Sequence, residues 1–478
     1  MNIIQRLAQF TEHTQFDELP SNVIEECKRD ILDAIGCALA SVNQPKATKG
    51  IECGVRIGGL NGPATVIGTG QRSSVFGAAF ANAEMINTLD ADSVLLPGHV
   101  SPYVLPGAFA IGESERRSGK DLIAAVAVSH EMSYRFGTAM NTTRDYKDGK
   151  TAIAPIVGYS STIFGATASA AKLKSLDQER IAHALGIAAA ITPVNAHRAW
   201  LDHAPPSTIK YLLAGSLAQS ALTAMEMGAM GHRGDLQMLD DAEFGYPRFI
   251  GTSLWLPERL TESLGDTWHF PTHLMFKPYP HCRVMHAPLD ILYRLIQEHD
   301  IRVEEIESIT AYGEGWAYVL PSFTFRRIDR IEDAQFCFVH GLAIAAHRIE
   351  PGPKWQDTAV VFDPSVLGLM EKIKLEIHPD YATAISNNPS SRPSRIELRA
   401  RGILFSGEQM FPKGTPSSDP ASYMSTPELE AKFRTFVQGI VTESTANQVV
   451  NTVLNLESID DFGAVMRELV WAEGVEKQ

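Results

Sequence analysis

Apolar residues recur every three or four positions over most of the first 265 residues, and this spacing predicts a succession of helices. After Pro20-Ser21-Asn22, the stripe Val23, Ile24, Cys27, Ile31, Leu32 and Ile35 marks one of them. Ser73 or Ser74 is placed to cap the next, which runs through Phe76, Phe80 and Met85 towards Leu89. The same periodicity continues over Leu105–Glu115, Asp121–Met140, Thr162–Lys174 and Asp177–Ile191. These stretches are rich in Ala and Gly, and small contact residues let helix axes approach closely.

The period changes near residue 270. Glu307–Tyr312 alternates, with Ile309 and Ala311 against Ser308 and Thr310, which predicts a strand. Ser394–Arg401 and Gly402–Phe411 read as a hairpin, with Ile396, Leu398 and Ala400 on one face. A helix beginning near Met285 precedes these strands, and Asp333–His347 reads as a single helix between them. Helical spacing returns at Thr426, with start signals at Thr426-Pro427-Glu428 and Asp460. The predicted architecture is mainly α with an α+β part. A large all-helical domain is formed by both chain ends, residues 1–268 and 412–478, and a smaller α+β domain is inserted at 269–411.

Composition narrows the functional classes. The chain has 478 residues, enough for two domains or one large one with a satellite. Its net charge of -14 comes with no basic face, which argues against nucleic acid and means that an anionic ligand must be drawn by a local cationic pocket. Five cysteines, odd in number and without CxxC or zinc spacing, fit a reduced, cytoplasmic compartment and no structural metal. Met1–His13 is amphipathic and lacks the basic flank and apolar core of a signal peptide. No apolar run reaches the length of about 18 residues that a membrane span needs.

Three polar peptides concentrate chemistry. The densest is Lys277-Pro278-Tyr279-Pro280-His281-Cys282, with His286 four residues on and an apolar helical run behind it. A cation, a phenol, a thiol and two imidazoles beside a buried helix suit an anion site; the structural alternative is a turn with Cys282 packed as a small hydrophobe and His286 hydrogen-bonded. The second is Asp90-Ala91-Asp92-Ser93 followed by Gly98-His99-Val100-Ser101, an acid/base set or a helix end and turn. The third is His197–His203 with Pro205-Pro206-Ser207-Thr208-Ile209-Lys210. There Ser207 is placed to cap a helix carrying Lys210, and the apolar residues Leu212, Leu213 and Leu217 point to burial rather than a surface lysine. Tyr146 lies in the charged stretch Arg144–Lys150, a solvated or lid loop with a proton donor as the lesser reading. His232–Asp235 needs no function. The absence of a Walker loop, GxGxxG, HExxH and GxSxG lowers the case for nucleotide cofactors, zinc proteolysis and serine hydrolysis.

Taken in order, these pieces resemble the MmgE/PrpD family over nearly the whole chain. The resemblance rests on Ile31–Ala38, on Leu89-Asp90-Ala91-Asp92 with His99-Val100-Ser101 and Val104-Leu105-Pro106, and on Phe164-Gly165-Ala166. It continues with Lys210 and Gly215, Lys277–Cys282 with His286, and Pro412-Lys413-Gly414 with Pro416. It implies a helical domain with an α+β lid, a homodimer, a cleft between domains and no metal or organic cofactor. It also implies that Asp90, His99, Lys210, Lys277 and the Cys282/His286 pair occupy active-site positions, with the two lysines holding substrate carboxylates; Ser93 is a further substrate-binding candidate. The chain departs from the family at Ala152–Gly158, where some members carry a His. It also departs at Asp92–Leu95, and at Val100, where a Pro follows the family's His.

The expectation is a cofactor-independent lyase of the dehydratase or decarboxylase kind, moving a proton at a carbon next to a carboxylate of a small di- or tricarboxylate. Lysine charge offsets the enolate and His99 serves as base, since imidazole titrates near neutrality. Asp90 orients or polarises His99, and Tyr146 or Cys282 returns the proton. An epimerase of a dicarboxylate is the alternative within the same chemistry, and a non-catalytic small-anion binding protein is the alternative outside it.

Overall fold

The computed structural model describes the backbone of residues 1–142, 145–147, 150–388 and 390–469, and the side chains of these residues apart from 145–147 and 150–152. The protein is mainly helical with small sheets. Ser21–Ser41 is buried along almost its whole length from Glu26 onward, so it serves as a central rod. Val75–Thr88, Ser101–Ser114 and Gly119–Ala139 pack on it from one part of the sequence, and Thr426–Val437 and Glu443–Leu454 pack on it from the other end. The small residues act at specific places. A Cβ on Gly50 would sit 2.5 Å from Glu84 Cβ, and one on Gly54 would sit 2.5 Å from the Gly77 carbonyl, so Pro45–Gly58 and Val75–Thr88 touch nearly backbone to backbone.

Helix starts follow their chemistry. Ser74 caps Val75–Thr88 by accepting from the Gly77 N–H, Ser118 forms a capping box before Gly119–Ala139, and Ser425 does the same before Thr426–Val437. Two predicted helices differ. Lys210 is on no helix: residues 207–210 form a tight turn, closed by Lys210 N–H donating to Ser207 O at 3.0 Å, and the next helix begins at Ala214. The helix predicted over 333–347 is broken into Ile331–Ala334 and Phe338–Ala346, which turns Gln335 and Phe336 towards residues 88 and 210.

A four-stranded sheet runs in the order Ile403–Gln409, Ser394–Ala400, Ile306–Gly313, Ile373–Ile377, antiparallel except for the last pair. Ile309 faces Leu398 and Ala311 faces Ile396. The buried face they form packs on the helix His286–Glu298. The strand 373–377 exposes four of its five residues at least in part, so it carries no alternation for a sequence reading to find. A second feature absent from the periodicity is the two-residue-per-strand hairpin Val94–Leu95 and Gly98–His99.

Candidate active site

The site begins at the C-terminal end of Val75–Thr88. That end leaves carbonyls without helical partners and carries partial negative charge. Lys210 Nζ donates to Asn87 O at 3.1 Å and Gln335 donates to Thr88 O at 2.8 Å, so two distant segments complete the helix terminus. The chain then turns through Asp90 in the left-handed region, at φ 53°. Lys210, its partner, is also left-handed, at φ 57°. Such a conformation costs a non-glycine residue about 1–3 kcal/mol, and it persists only where surrounding contacts fix it.

Those contacts centre on the Asp90 carboxylate. Lys210 Nζ donates to Oδ1 at 2.7 Å and Lys277 Nζ to Oδ2 at 2.8 Å. Lys277 also donates to the Asp90 carbonyl. Lys277 reaches it because Met275 pairs with Val94, the two exchanging backbone hydrogen bonds of 2.7 and 2.8 Å, which lays residues 275–277 beside the hairpin. Asp90 and Lys277 are each 1% exposed. Burial alone would raise the Asp90 carboxyl, but the charges of Lys210, Lys277 and then His99 hold it well below the usual carboxylate range. It is therefore a fixed anion between two fixed cations.

His99 closes the cluster. Its Nδ1 lies 2.6 Å from Asp92 Oδ2 and its Nε2 3.3 Å from Asp90 Oδ1, and its side chain keeps 12% exposure. Burial would raise Asp92 as well, yet the His99 ring holds it below its ordinary value. Asp92, not Asp90, makes the tight contact that fixes the orientation of the imidazole. Asp92 was legible as a neighbour in the sequence but not as the partner of His99, because the pairing depends on a hairpin too short to show periodicity. The Asp90–Asp92 loop is anchored from the far end of the chain. Lys432 Nζ donates to Ala91 O at 2.8 Å and pairs with Asp33 at 2.5 Å.

The other predicted residues are distributed as follows. Cys282 is half-buried; burial first, then the Asp90 charge, pushes its thiol up to about 12, so it stays protonated. Ser93 faces away, its hydroxyl donating to Asp30 Oδ1 at 2.5 Å. There it joins Ser101, and His130 Nε2 lies 2.8 Å from Asp30 Oδ2. His286 is fully buried, with Nε2 on the His281 carbonyl at 3.0 Å and Nδ1 facing Arg283 Nη1 at 3.2 Å. Burial and the nearby charges of Arg283 and Lys277 hold His286 well below the usual imidazole range. The structure therefore brings Asp90, His99, Lys210 and Lys277 together, with Cys282 within electrostatic reach, and does not bring Ser93 or His286 to them. The side chain of Tyr146 lies outside the described residues. Tyr159 packs against Gly98 of the hairpin, with the rings of His197 and Tyr211 on it; none of the three was assigned a site role, although His197 opens the third polar peptide, Tyr211 directly follows it and Tyr159 lies just ahead of Phe164.

One ligand atom from each of Asp90, Asp92 and His99 falls within 4.8 Å of the others, the spacing of a metal site. Both oxygens of Asp90 are already engaged by ammonium groups, and a cation there would lie against two positive charges. The donor set suits an anion instead. Each lysine amine carries three N–H donors and spends two of them on the contacts above, leaving one apiece among the described residues. Surface hollows of about 330 and 680 Å³ open elsewhere, the larger against Tyr279 and Asp290, and none of the cluster lines them.

Comparison with known proteins gives the cluster a context. The MmgE/PrpD N-terminal domain family matches residues 5–254 and the MmgE/PrpD C-terminal domain family matches residues 279–458. A cis-aconitate decarboxylase of Aspergillus terreus is 26% identical over 313 residues, covering 61% of this chain and 60% of its own. The chain thus spans about 60% of the length of that relative. A cis-aconitate decarboxylase-like protein, oryM, of Aspergillus oryzae is 23% identical over 97% of this chain and 96% of its own. A human cis-aconitate decarboxylase is 24% identical over 96% and 93% respectively. The chain belongs to the MmgE/PrpD family.

Proposed function

We propose that this MmgE/PrpD chain is a cofactor-independent lyase acting on a small di- or tricarboxylate by proton transfer at the carbon next to a carboxylate. The observation that carries this reading is the convergence of two buried lysine amines and an Asp-held imidazole on one helix terminus. The uncommitted N–H of each amine offers a carboxylate two donors. The same positive charges lower the energy of the enolate formed when a proton or carbon dioxide leaves, which is where electrostatic stabilisation acts most strongly. His99, oriented by Asp92, is the base. Asp90 neutralises and positions the amines rather than moving protons, since two lysines keep it ionised.

The relatives named for cis-aconitate decarboxylation make that acid the first substrate to test, and the missing His near Ile156 is the reason to include a wider panel. If no group leaves from the adjacent carbon, the same groups support epimerisation of a dicarboxylate. A non-catalytic anion-binding protein would keep the lysines and dispense with His99. The family resemblance supports a homodimer, and the unpaired cysteines support a cytoplasmic location; light scattering tests the first. No helix among the described residues is long and apolar enough to cross a membrane.

Calorimetric titration with citrate and cis-aconitate, with deuterium uptake from heavy water followed by NMR, tests the proposal. Lys210→Ala raises the apparent Kd roughly ten- to a hundredfold, as expected for a charge-assisted contact worth about 1.5–3 kcal/mol. His99→Gln abolishes deuterium uptake while binding remains. Unchanged citrate affinity in the lysine variant sinks the carboxylate reading; uptake that survives in the His99 variant sinks the base assignment.

A further inference from the structure

A site that makes an enolate also needs a proton donor for the carbon, and besides the Cys282 thiol the fold places a phenol next to the proposed base. We infer that the Tyr159 hydroxyl is this donor, held in place by Tyr211 and His197. The inference rests on the carboxylate reading above.

Tyr159 belongs to the turn Gly158–Ser161, which packs on the hairpin carrying His99. Gly98, the residue before His99, has no side chain for a steric reason: a Cβ there would collide with the Tyr159 ring and lie 2.7 Å from its hydroxyl oxygen. The phenol is thus seated directly on the backbone next to the proposed base. Its ring is clamped, with centroids 4.5 Å from Tyr211 and 5.1 Å from His197, and the residue is only 7% exposed. A donor must be aimed as well as acidic, and this packing fixes its aim.

The electrostatics suit an acid rather than a base. Burial pushes the Tyr159 hydroxyl well above its ordinary range and the Tyr211 hydroxyl draws it partly back; Cys282 and Asp90 raise it further, and Arg392 lowers it. The phenol therefore carries its proton at working pH. His197 is neutral, pushed down to about 3 by burial and then by the charges of His99 and Arg198. Its Nδ1 is buried without a hydrogen-bond partner among the described residues, and its ring lies beside both tyrosine rings, with centroids 5.1 Å from Tyr159 and 4.8 Å from Tyr211. A buried polar atom left open in this way marks a place where a water or ligand group belongs.

In the step itself, the enolate electron pair forms the new C–H bond as the phenolic O–H bond breaks. The resulting phenolate regains a proton from water by way of Tyr211.

Tyr159→Phe preserves the ring over Gly98 and removes only the hydroxyl. With the acid that the wild-type protein turns over, chosen from cis-aconitate, citrate and succinate-type acids, this variant loses 10²–10⁴-fold in kcat. Its citrate Kd stays within about threefold of wild type, as expected when the lost contact forms only in the transition state. In heavy water its residual product loses the facial preference of deuterium at the protonated carbon, a change that a purely structural role does not produce. Fluorotyrosine at position 159, an acidified phenol of nearly the same shape, moves the alkaline arm of the kcat–pH profile to lower pH and serves if the Phe variant does not fold. Full kcat or full facial preference in Tyr159→Phe, or an alkaline arm that stays in place in the fluorotyrosine protein, overturns the donor assignment alone. A wild-type protein that neither binds citrate nor turns over any acid removes the carboxylate reading and the donor with it.

Discussion

His99 and His286 sit in polar peptides that converge on the same amine, Lys277, yet their surroundings are opposite. His99 lies between two carboxylates and keeps an exposed edge. His286 is sealed, flanked by cations, and satisfied by a backbone carbonyl and Arg283. One imidazole faces two carboxylates and an open edge, and the other is held neutral as a packing and hydrogen-bonding element. Chemistry at this site is decided by which charges face a ring and whether solvent or a ligand can reach it. Residue type alone does not decide it.

This contrast can be broken most sharply by kinetics. His99→Gln should cost 10²–10⁴-fold in turnover with little loss of stability, whereas His286→Gln should leave the charged cluster intact and lower stability by about 1–3 kcal/mol through unsatisfied buried groups. Steady-state kinetics and urea unfolding of the pair decide this, and equal kinetic losses would erase the distinction. Next in size is the charge knot itself. Asp90→Asn leaves two buried amines without their shared carboxylate and should destabilise the protein by roughly 3–5 kcal/mol, while adding Lys277→Met, which removes one of those amines, should recover part of that loss. A double variant no more stable than the single one would mean that the pair does not act as a unit.

Acid should expose the sealed histidines. His197 and His281 are pushed down to about 3 and about 4 by burial, and His286 further below the usual range, so the unfolded chain binds protons that the folded chain refuses. Stability therefore falls as pH drops below about 6.5, by about 1.4 kcal/mol per such histidine at pH 5.5. The slope of unfolding free energy against pH between 7 and 5 measures this, and His281→Gln should flatten it. A slope unchanged by that substitution would contradict the assignment of His281 as neutral in the fold. The smallest effect belongs to Ser93, whose hydroxyl serves Asp30: Ser93→Ala should cost about 1 kcal/mol and leave citrate affinity unchanged.

Long helices and the alternating strands were legible because their periodicity is local: Ser21–Ser41, Ile306–Gly313 and the hairpin 394–409 lie close to where the pattern places them. The convergence of Lys210 and Lys277 with Asp90 and His99 was anticipated through order and resemblance, not through spacing. What remained hidden depends on tertiary contact. Lys210 leaves helical geometry because Asp90 and Asn87 O claim its amine, and the 333–347 helix breaks where Gln335 reaches Thr88 O. Asp92 pairs with His99 across a hairpin of four strand residues, and Tyr159 fits only because Gly98 yields the space. No local pattern records such pairings.

The Lys432 tether carries a consequence for biogenesis. The loop bearing Asp90 and Asp92 is pinned by an amine that leaves the ribosome some 340 positions after it, a separation of 341 residues between Ala91 and Lys432. A nascent chain that already contains residues 90, 99, 210 and 277 still lacks this pin, so competence for binding should emerge only in the last stage of synthesis. C-terminal clipping within the helix Thr426–Val437 should silence the protein without touching any group that meets the substrate.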